Sequence, residues 1–216
     1  DLRVRAGQMA CLVGPCSAGK STILHSIFGL TEVRSGRIEV GGRNVTRFGP
    51  GAKLRDAGIA YVLQDSSVFP DMTVERNLWL SGRLIGQYDD SQQAAERVFD
   101  RYPMLAGRRD KPAGLLSPGE RRLLELSRAF VMRPRLLLVD EPLMGLESGF
   151  VEPIFEMLRD LRDDERVAIV MVEQNAKWAL SLADIGCLIV DGEVARVGTS
   201  RELLADPLMG RLFLGD

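Results

Sequence analysis

The 216-residue sequence is short of cysteine, histidine, aromatics and net charge, and each shortage removes a class of function. Its three cysteines, Cys11, Cys16 and Cys187, are scattered without metal-ligand spacing, which points to a reduced intracellular compartment. Twenty-eight basic against thirty acidic residues leave a formal charge of −2, so no nucleic-acid groove held by bulk positive charge is expected. No uninterrupted apolar stretch reaches the ~18 residues that span a bilayer, so any membrane role must come through a partner. Repeats, low-complexity tracts and a signal-peptide pattern are also lacking. The chain opens on DLRVRAGQ without an initiator methionine, as expected of a piece cut from something slightly longer.

What remains suits one domain with a sizeable apolar interior. MACLVG at 9–14 is a short strand-forming run, followed by a glycine loop and then KSTILHSIFGL, where Ile23, Leu24, Ile27 and Phe28 repeat at helical spacing. RIEV–GG–RNV at 37–45 reads as a hairpin about Gly41-Gly42, and GIAYVL at 58–63 as a strand. From 73 to about 115 the pattern turns helical and charged, with TVERNLWLSGRL and SQQAAERVFDRYPML as amphipathic candidates for an inserted helical subdomain. Three further apolar runs, RLLLV at 135–139, AIVMV at 168–172 and CLIVDGEVARVG at 187–198, alternate with helical segments. The expectation is an α/β fold: a P-loop NTPase core with a mostly parallel sheet flanked by helices, a small antiparallel part and the helical insert.

GPCSAGKS at 14–21 meets G-x-x-x-x-G-K-[ST] at every defined position, between the strand and the helix that such a loop requires. The glycines let backbone N–H groups converge on one point, and the helix start adds partial positive charge there. Gly14, Pro15, Cys16, Ser17, Ala18, Gly19, Lys20, Ser21 and Thr22 are the expected phosphate-binding set, with Lys20 on the β and γ phosphates and the Ser21 hydroxyl on Mg²⁺. Cys16 is expected to be a small side chain packed beside the loop. In LLLVDEP at 136–142 the apolar run delivers Asp140 to a strand end as a Mg²⁺ carboxylate, with Glu141 placed to polarise the attacking water. Between 115 and 120, LLSPGE is a helix start: Ser117 as cap, Pro118 at the first position and Glu120 completing a capping box. The same start exposes a hydroxyl and N–H groups at a positive helix end, where a phosphate can bind. His25 lies off the apolar stripe of its helix and is expected at the surface.

GPCSAGKST, Gln64 in YVLQDSSVFP, LLSPGE, LLLVDEP and MGLES at 144–148 occur in the order and spacing of an ATP-binding cassette (ABC) ATPase, and the resemblance covers essentially the whole chain as a single domain, 1–216. VFPDMTVERNL, VEQNAKWALSLAD and LLADPLMGRLFLGD are similar to the ATPase subunits of branched-chain amino acid importers, or of urea and amide importers. The resemblance implies ATP hydrolysis with Mg²⁺ held by Ser21, Gln64 and Asp140, and catalysis by Glu141 with Gln174 at the switch position. It also implies a second cassette head to tail, whose ATP is served by this chain's Ser117, Gly119 and Glu120. Further implications are transmembrane permease subunits contacting 69–77 and the helical insert, an indirect solute-binding protein, and a place on the cytoplasmic face of the membrane.

Several positions depart from the family. Gln174 replaces the usual histidine, a change common among branched-chain amino acid ATPases. Cys16 and Ser17 stand where asparagine and glycine are usual, Pro118 replaces a glycine, Glu120 a glutamine and Glu147 an aspartate. The adenine-stacking aromatic normally precedes the first strand seen here. These departures carry the alternative of a degenerate, slowly hydrolysing half of a heterodimer. A soluble ABC ATPase of DNA repair, ribosomes or cofactor assembly is a lesser alternative.

Overall fold

The computed structural model describes residues 1–65, 67–86 and 90–210. Ser66 of YVLQDSSVFP, residues 87–89 of the helical stretch and 211–216 of the C-terminal tail lie outside the described residues. The strands are β1 (Met9–Val13), β2 (Glu39–Val40), β3 (Arg43–Asn44), β4 (Ile59–Val62), β5 (Leu136–Asp140), β6 (Ala168–Val172), β7 (Ile185–Val190) and β8 (Glu193–Thr199). The helices are α1 (Lys20–Phe28), α2 (Pro50–Arg55), α3 (Val74–Leu84), α4 (Ser91–Arg101), α5 (Pro103–Ala106), α6 (Pro118–Met132), α7 (Val151–Asp163), α8 (Ala176–Leu182), α9 (Ser200–Leu204) and α10 (Pro207–Met209).

Six strands form one sheet in the order β4-β5-β6-β1-β7-β8. All neighbours are parallel except β7 and β8, which are antiparallel. Every residue of MACLV and AIVMV is buried, because helices cover both faces and leave no position for a polar side chain. One apolar cluster lies between the sheet and α3, α4, α6 and α7, and a second lies on the α1 side around Leu12, Leu24 and Leu138. In register, Leu12 and Asp140 both pair with Val172, so the carboxyl ends of β1, β5 and β6 finish side by side. Ligands of open α/β sheets bind at such ends.

Two sequence expectations are corrected here. CLIVDGEVARVG is not one strand: Asp191 (φ 51°) and Gly192 (φ 79°) make a two-residue turn that folds it into the β7–β8 hairpin, the chemistry of an Asp-Gly turn. SQQAAERVFDRYPML is likewise two helices, since Pro103 has no N–H to continue α4 and instead starts α5. The expected hairpin about Gly41-Gly42 is present as β2–β3.

Lys53 of α2 is fully buried, and its Nζ donates to Ser26 O at 3.2 Å and Ile27 O at 2.7 Å. These are carbonyls at the negative end of α1, which a helix leaves without intrahelical partners. Burial pushes the Lys53 amine down from its ordinary range. The contact anchors the far end of the helix whose other end opens the glycine loop.

Candidate functional site

The loop after β1 turns into α1 through Gly19 at φ 90°, a backbone that residues with a Cβ rarely adopt. Gly14 is required for a different reason, because a Cβ there would stand 2.2 Å from Ile189 O. No acidic residue stands in the first turn of α1, which leaves its N–H groups open to an anion. Lys20 is buried, and its Nζ donates to Gly14 O and Pro15 O, both at 2.8 Å, which draws the ammonium over the loop. Pro15 and Gly19 are half-buried, Ala18 is buried, and Thr22 is exposed on the first turn. Cys16 is exposed rather than packed beside the loop, because it stands at the corner of a turn closed by Ala18 N–H on Pro15 O at 3.3 Å. Ser17 is also exposed and sits at φ 64°, the left-handed conformation that favours the glycine usual there.

Ser21 Oγ donates to Asp140 Oδ1 at 3.0 Å, joining the glycine loop to the end of β5. The other carboxylate oxygen, Oδ2, accepts the Tyr61 hydroxyl at 3.1 Å. Burial pushes that phenol up, and the neighbouring Asp140 charge pushes it further. The Tyr61 ring meets His25 edge-on at 5.9 Å, so His25 is a half-buried packing residue instead of the free surface group expected. A hydroxyl and a carboxylate in contact, beside a phosphate loop, are the donor set that suits Mg²⁺, which keeps water and phosphate oxygens for its remaining positions. Gln64, the third expected member, has a different side-chain partner: Nε2 donates to Met144 Sδ at 3.1 Å.

Glu141 follows Asp140 at φ 46° and is buried, with its N–H on Val172 O at 2.9 Å. Strain of this kind, over-determined by neighbours, aims a side chain. The target is Gln174 beyond β6, whose Nε2 donates to Oε1 at 2.8 Å and Oε2 at 2.9 Å. The two candidate catalytic residues are therefore in direct contact.

Ser117 and Glu120 complete the expected capping box: Glu120 N–H donates to Ser117 Oγ at 3.2 Å and Ser117 N–H to Glu120 Oε2 at 2.9 Å. Gly119 packs on Phe150, whose ring a Cβ would meet at 2.2 Å. Arg108 Nε donates to Glu120 Oε1 at 2.7 Å. Burial alone would push the Glu120 carboxyl up, but the Ser117 N–H and the Arg108 guanidinium outweigh it and hold it below its ordinary value.

Sequence reading missed the grip of α6 on the loop after β4. Arg122 donates to Leu63 O and Gln64 O, both at 2.7 Å, and pairs with Glu125 at 3.0 Å. Glu125 in turn accepts Ser67 N–H, while Arg128 donates to Ser67 O, each at 2.7 Å. The one signal available was the unusual burial implied by charges on the apolar side of a helix. Among the described residues no helix is long and apolar enough to cross a membrane.

The sequence pattern of the family described as ABC transporter matches residues 1–144. A probable branched-chain amino acid transport ATP-binding protein, LivF, of Archaeoglobus fulgidus is 37% identical over all of this chain and 90% of its own length. The high-affinity branched-chain amino acid transport ATP-binding protein BraG of Pseudomonas aeruginosa is 35% identical over all of this chain and 91% of its own. The lipopolysaccharide export ATP-binding protein LptB of Acidithiobacillus ferridurans is 31% identical over all of this chain and 89% of its own. In fold, the ADP conformation of MJ1267, an ATP-binding cassette of an ABC transporter, superposes with a TM-score of 0.84 at 24% identity, covering all of this chain and 91% of that one. Site, sequence and fold agree: the chain belongs to the ABC transporter family, as an ATP-binding and ATP-hydrolysing subunit.

Proposed function

We propose that the chain powers an importer of branched-chain amino acids or related small amides, as the ATPase subunit on the cytoplasmic face of the membrane. The observation that carries this reading is full-length similarity to two branched-chain amino acid ATPases, joined to an intact Lys20, Ser21–Asp140 and Glu141–Gln174 arrangement. The exporter relative is less similar, at 31%, which favours uptake.

In this reading the loop N–H groups from Gly14 to Thr22 and Lys20 bind the triphosphate. Ser21 and Asp140, joined by Gln64, hold Mg²⁺, which when bound neutralises charge developing on the phosphates. Glu141 accepts a proton from the attacking water, with Gln174 holding its carboxylate in line. Ser117, Gly119 and Glu120 present the α6 N-terminus to the ATP of a second cassette arranged head to tail. Residues 73–115 act as a helical subdomain within the single 1–216 domain.

Transmembrane permease subunits are the partners for the outer side of 69–77. Phe69, Met72 and Leu115 are exposed there, and Gly114 N–H on Pro70 O at 2.9 Å brings the segments together. Buried Asn77 fixes the turn through Phe69 N–H at 2.8 Å. A solute-binding protein acts indirectly through the permease. The test is phosphate release by the reconstituted transporter: leucine-loaded binding protein stimulates it, whereas no stimulation by leucine, isoleucine, valine, urea or acetamide rejects the import reading.

A second reading, a degenerate half of a heterodimer with little turnover, is favoured by Pro118, which removes one N–H from the α6 start and so weakens the site that holds the partner's ATP. Pro118→Gly then accelerates hydrolysis in the partner's site and leaves this chain's own site as it was.

A further inference from the structure

Asp140 is 2% exposed at the end of β5, and both oxygens of its carboxylate are engaged. Oδ1 accepts the Ser21 hydroxyl at 3.0 Å, and Oδ2 accepts the Tyr61 hydroxyl at 3.1 Å. Ser21 belongs to the glycine loop, whereas Tyr61 lies within β4, before the loop that carries Gln64. Burial, and then the Asp140 charge, push the Tyr61 phenol up, so its hydroxyl keeps its proton and acts as a donor.

The parallel register brings phenol and carboxylate together. Tyr61 pairs with Leu138 of β5, and Asp140 lies two residues further on, on the same face of the sheet as Leu138. That face packs on α1, and the Tyr61 ring meets His25 edge-on at 5.9 Å and Phe28 edge-on at 5.5 Å. Ser21, His25 and Phe28 are spaced i, i+4 and i+7, so they share one side of α1. One helix therefore holds the carboxylate twice, directly through the Ser21 hydroxyl and indirectly through the ring that carries the Tyr61 hydroxyl. Water would satisfy a half-buried phenol; here the second oxygen of the carboxylate already bound to Ser21 does so instead.

A carboxylate tied at both oxygens is held against turning about its Cβ–Cγ bond. It can offer a cation one oxygen, but cannot swing both toward the same ion. Mg²⁺ is small and demands near-ideal octahedral geometry, whereas Ca²⁺ readily takes both oxygens of one carboxylate. We propose that Tyr61 determines which divalent cation accompanies ATP: its hydroxyl holds Oδ2, keeps Asp140 from turning both oxygens on one ion, and so favours Mg²⁺ over Ca²⁺. This rests on the reading of Asp140 as the carboxylate that faces the cation. The ring places the hydroxyl and the hydroxyl carries the preference, so phenylalanine keeps the packing and loses the selection.

The test is calorimetric titration of ATP into the full chain with magnesium chloride, with calcium chloride, or with EDTA, for wild type, Tyr61→Phe and Tyr61→Leu. In Tyr61→Phe the ratio of affinity with Mg²⁺ to affinity with Ca²⁺ falls about three- to tenfold, the worth of one hydrogen bond, while affinity in EDTA stays within about twofold. Tyr61→Leu shows the same fall in ratio, together with a lower melting temperature from the lost ring contacts. In an Asp140→Asn background, Tyr61→Phe changes the ratio by less than about twofold, because the hydroxyl acts through that carboxylate. An unchanged ratio in Tyr61→Phe, or equal losses in all three solutions, would overturn the proposal and leave Tyr61 a packing residue. If Asp140→Asn alone leaves the gain from Mg²⁺ over EDTA as it was, the assignment of Asp140 to the cation fails first, and the proposal falls with it.

Discussion

The Gln174 side-chain amide donates to both carboxylate oxygens of Glu141, at 2.8 Å and 2.9 Å. A single donor group shared between two acceptors fixes the plane of the carboxylate without neutralising it, which an imidazolium in that place would do. Gln174→Ala is expected to lower kcat for phosphate release by about ten- to a hundredfold, below the full worth of a general base because Glu141 itself remains. KM for ATP should change little. Steady-state kinetics with the partner cassette check both.

Ser17 holds a left-handed backbone in the glycine loop. A residue with a Cβ there costs roughly 1 kcal/mol relative to glycine. Ser17→Gly is therefore expected to raise the melting temperature by a few degrees and to bind ATP severalfold more tightly, read by calorimetric titration. Weaker binding would mean that the serine hydroxyl itself contacts phosphate.

The Arg108–Glu120 pair gives a charge-based prediction at the α6 start. Arg108→Ala leaves Glu120 unneutralised where the partner's ATP is expected, and should weaken that site. Glu120→Gln keeps the bond to Ser117 N–H and removes the charge, so the double substitution should restore what the single one loses. The pH dependence follows from the depressed Glu120 carboxyl. Its contribution is complete at neutral pH and is lost as pH falls through the folded-state value. The melting temperatures of wild type and Glu120→Gln should therefore differ most near pH 7 and converge in acid.

Arg122 supports two carbonyls of the loop after β4 and neutralises buried Glu125. Arg122→Ala strands that carboxylate, at a cost of about 3 kcal/mol. For a chain of this size that lowers the melting temperature by roughly 6 to 12 °C. Pairing the substitution with Glu125→Leu should recover much of the loss, which thermal denaturation would show.

The readable parts of this chain were those written in local order. The glycine loop, Asp140 and Glu141 after an apolar strand, and the capping box of Ser117 each occupy a handful of consecutive residues whose types state their geometry. Tyr61 on Asp140, and Arg122 on Leu63 and Gln64, join residues tens of positions apart, and no spacing rule encodes such pairs. Gln64 was legible by position, while its side chain's bond to Met144 depends on the fold. The β7–β8 turn is a different miss, since Asp191-Gly192 carried the signal and the apolar run around it concealed the break.

Glu141→Gln tests the central claim most directly, because it keeps the length and hydrogen-bonding capacity of Glu141 while removing its basicity. The variant with its partner cassette should bind ATP as tightly as wild type, release phosphate at least about a hundredfold more slowly, and accumulate as a closed dimer in ATP. Phosphate release by wild type no faster than by this variant would contradict hydrolysis at Glu141.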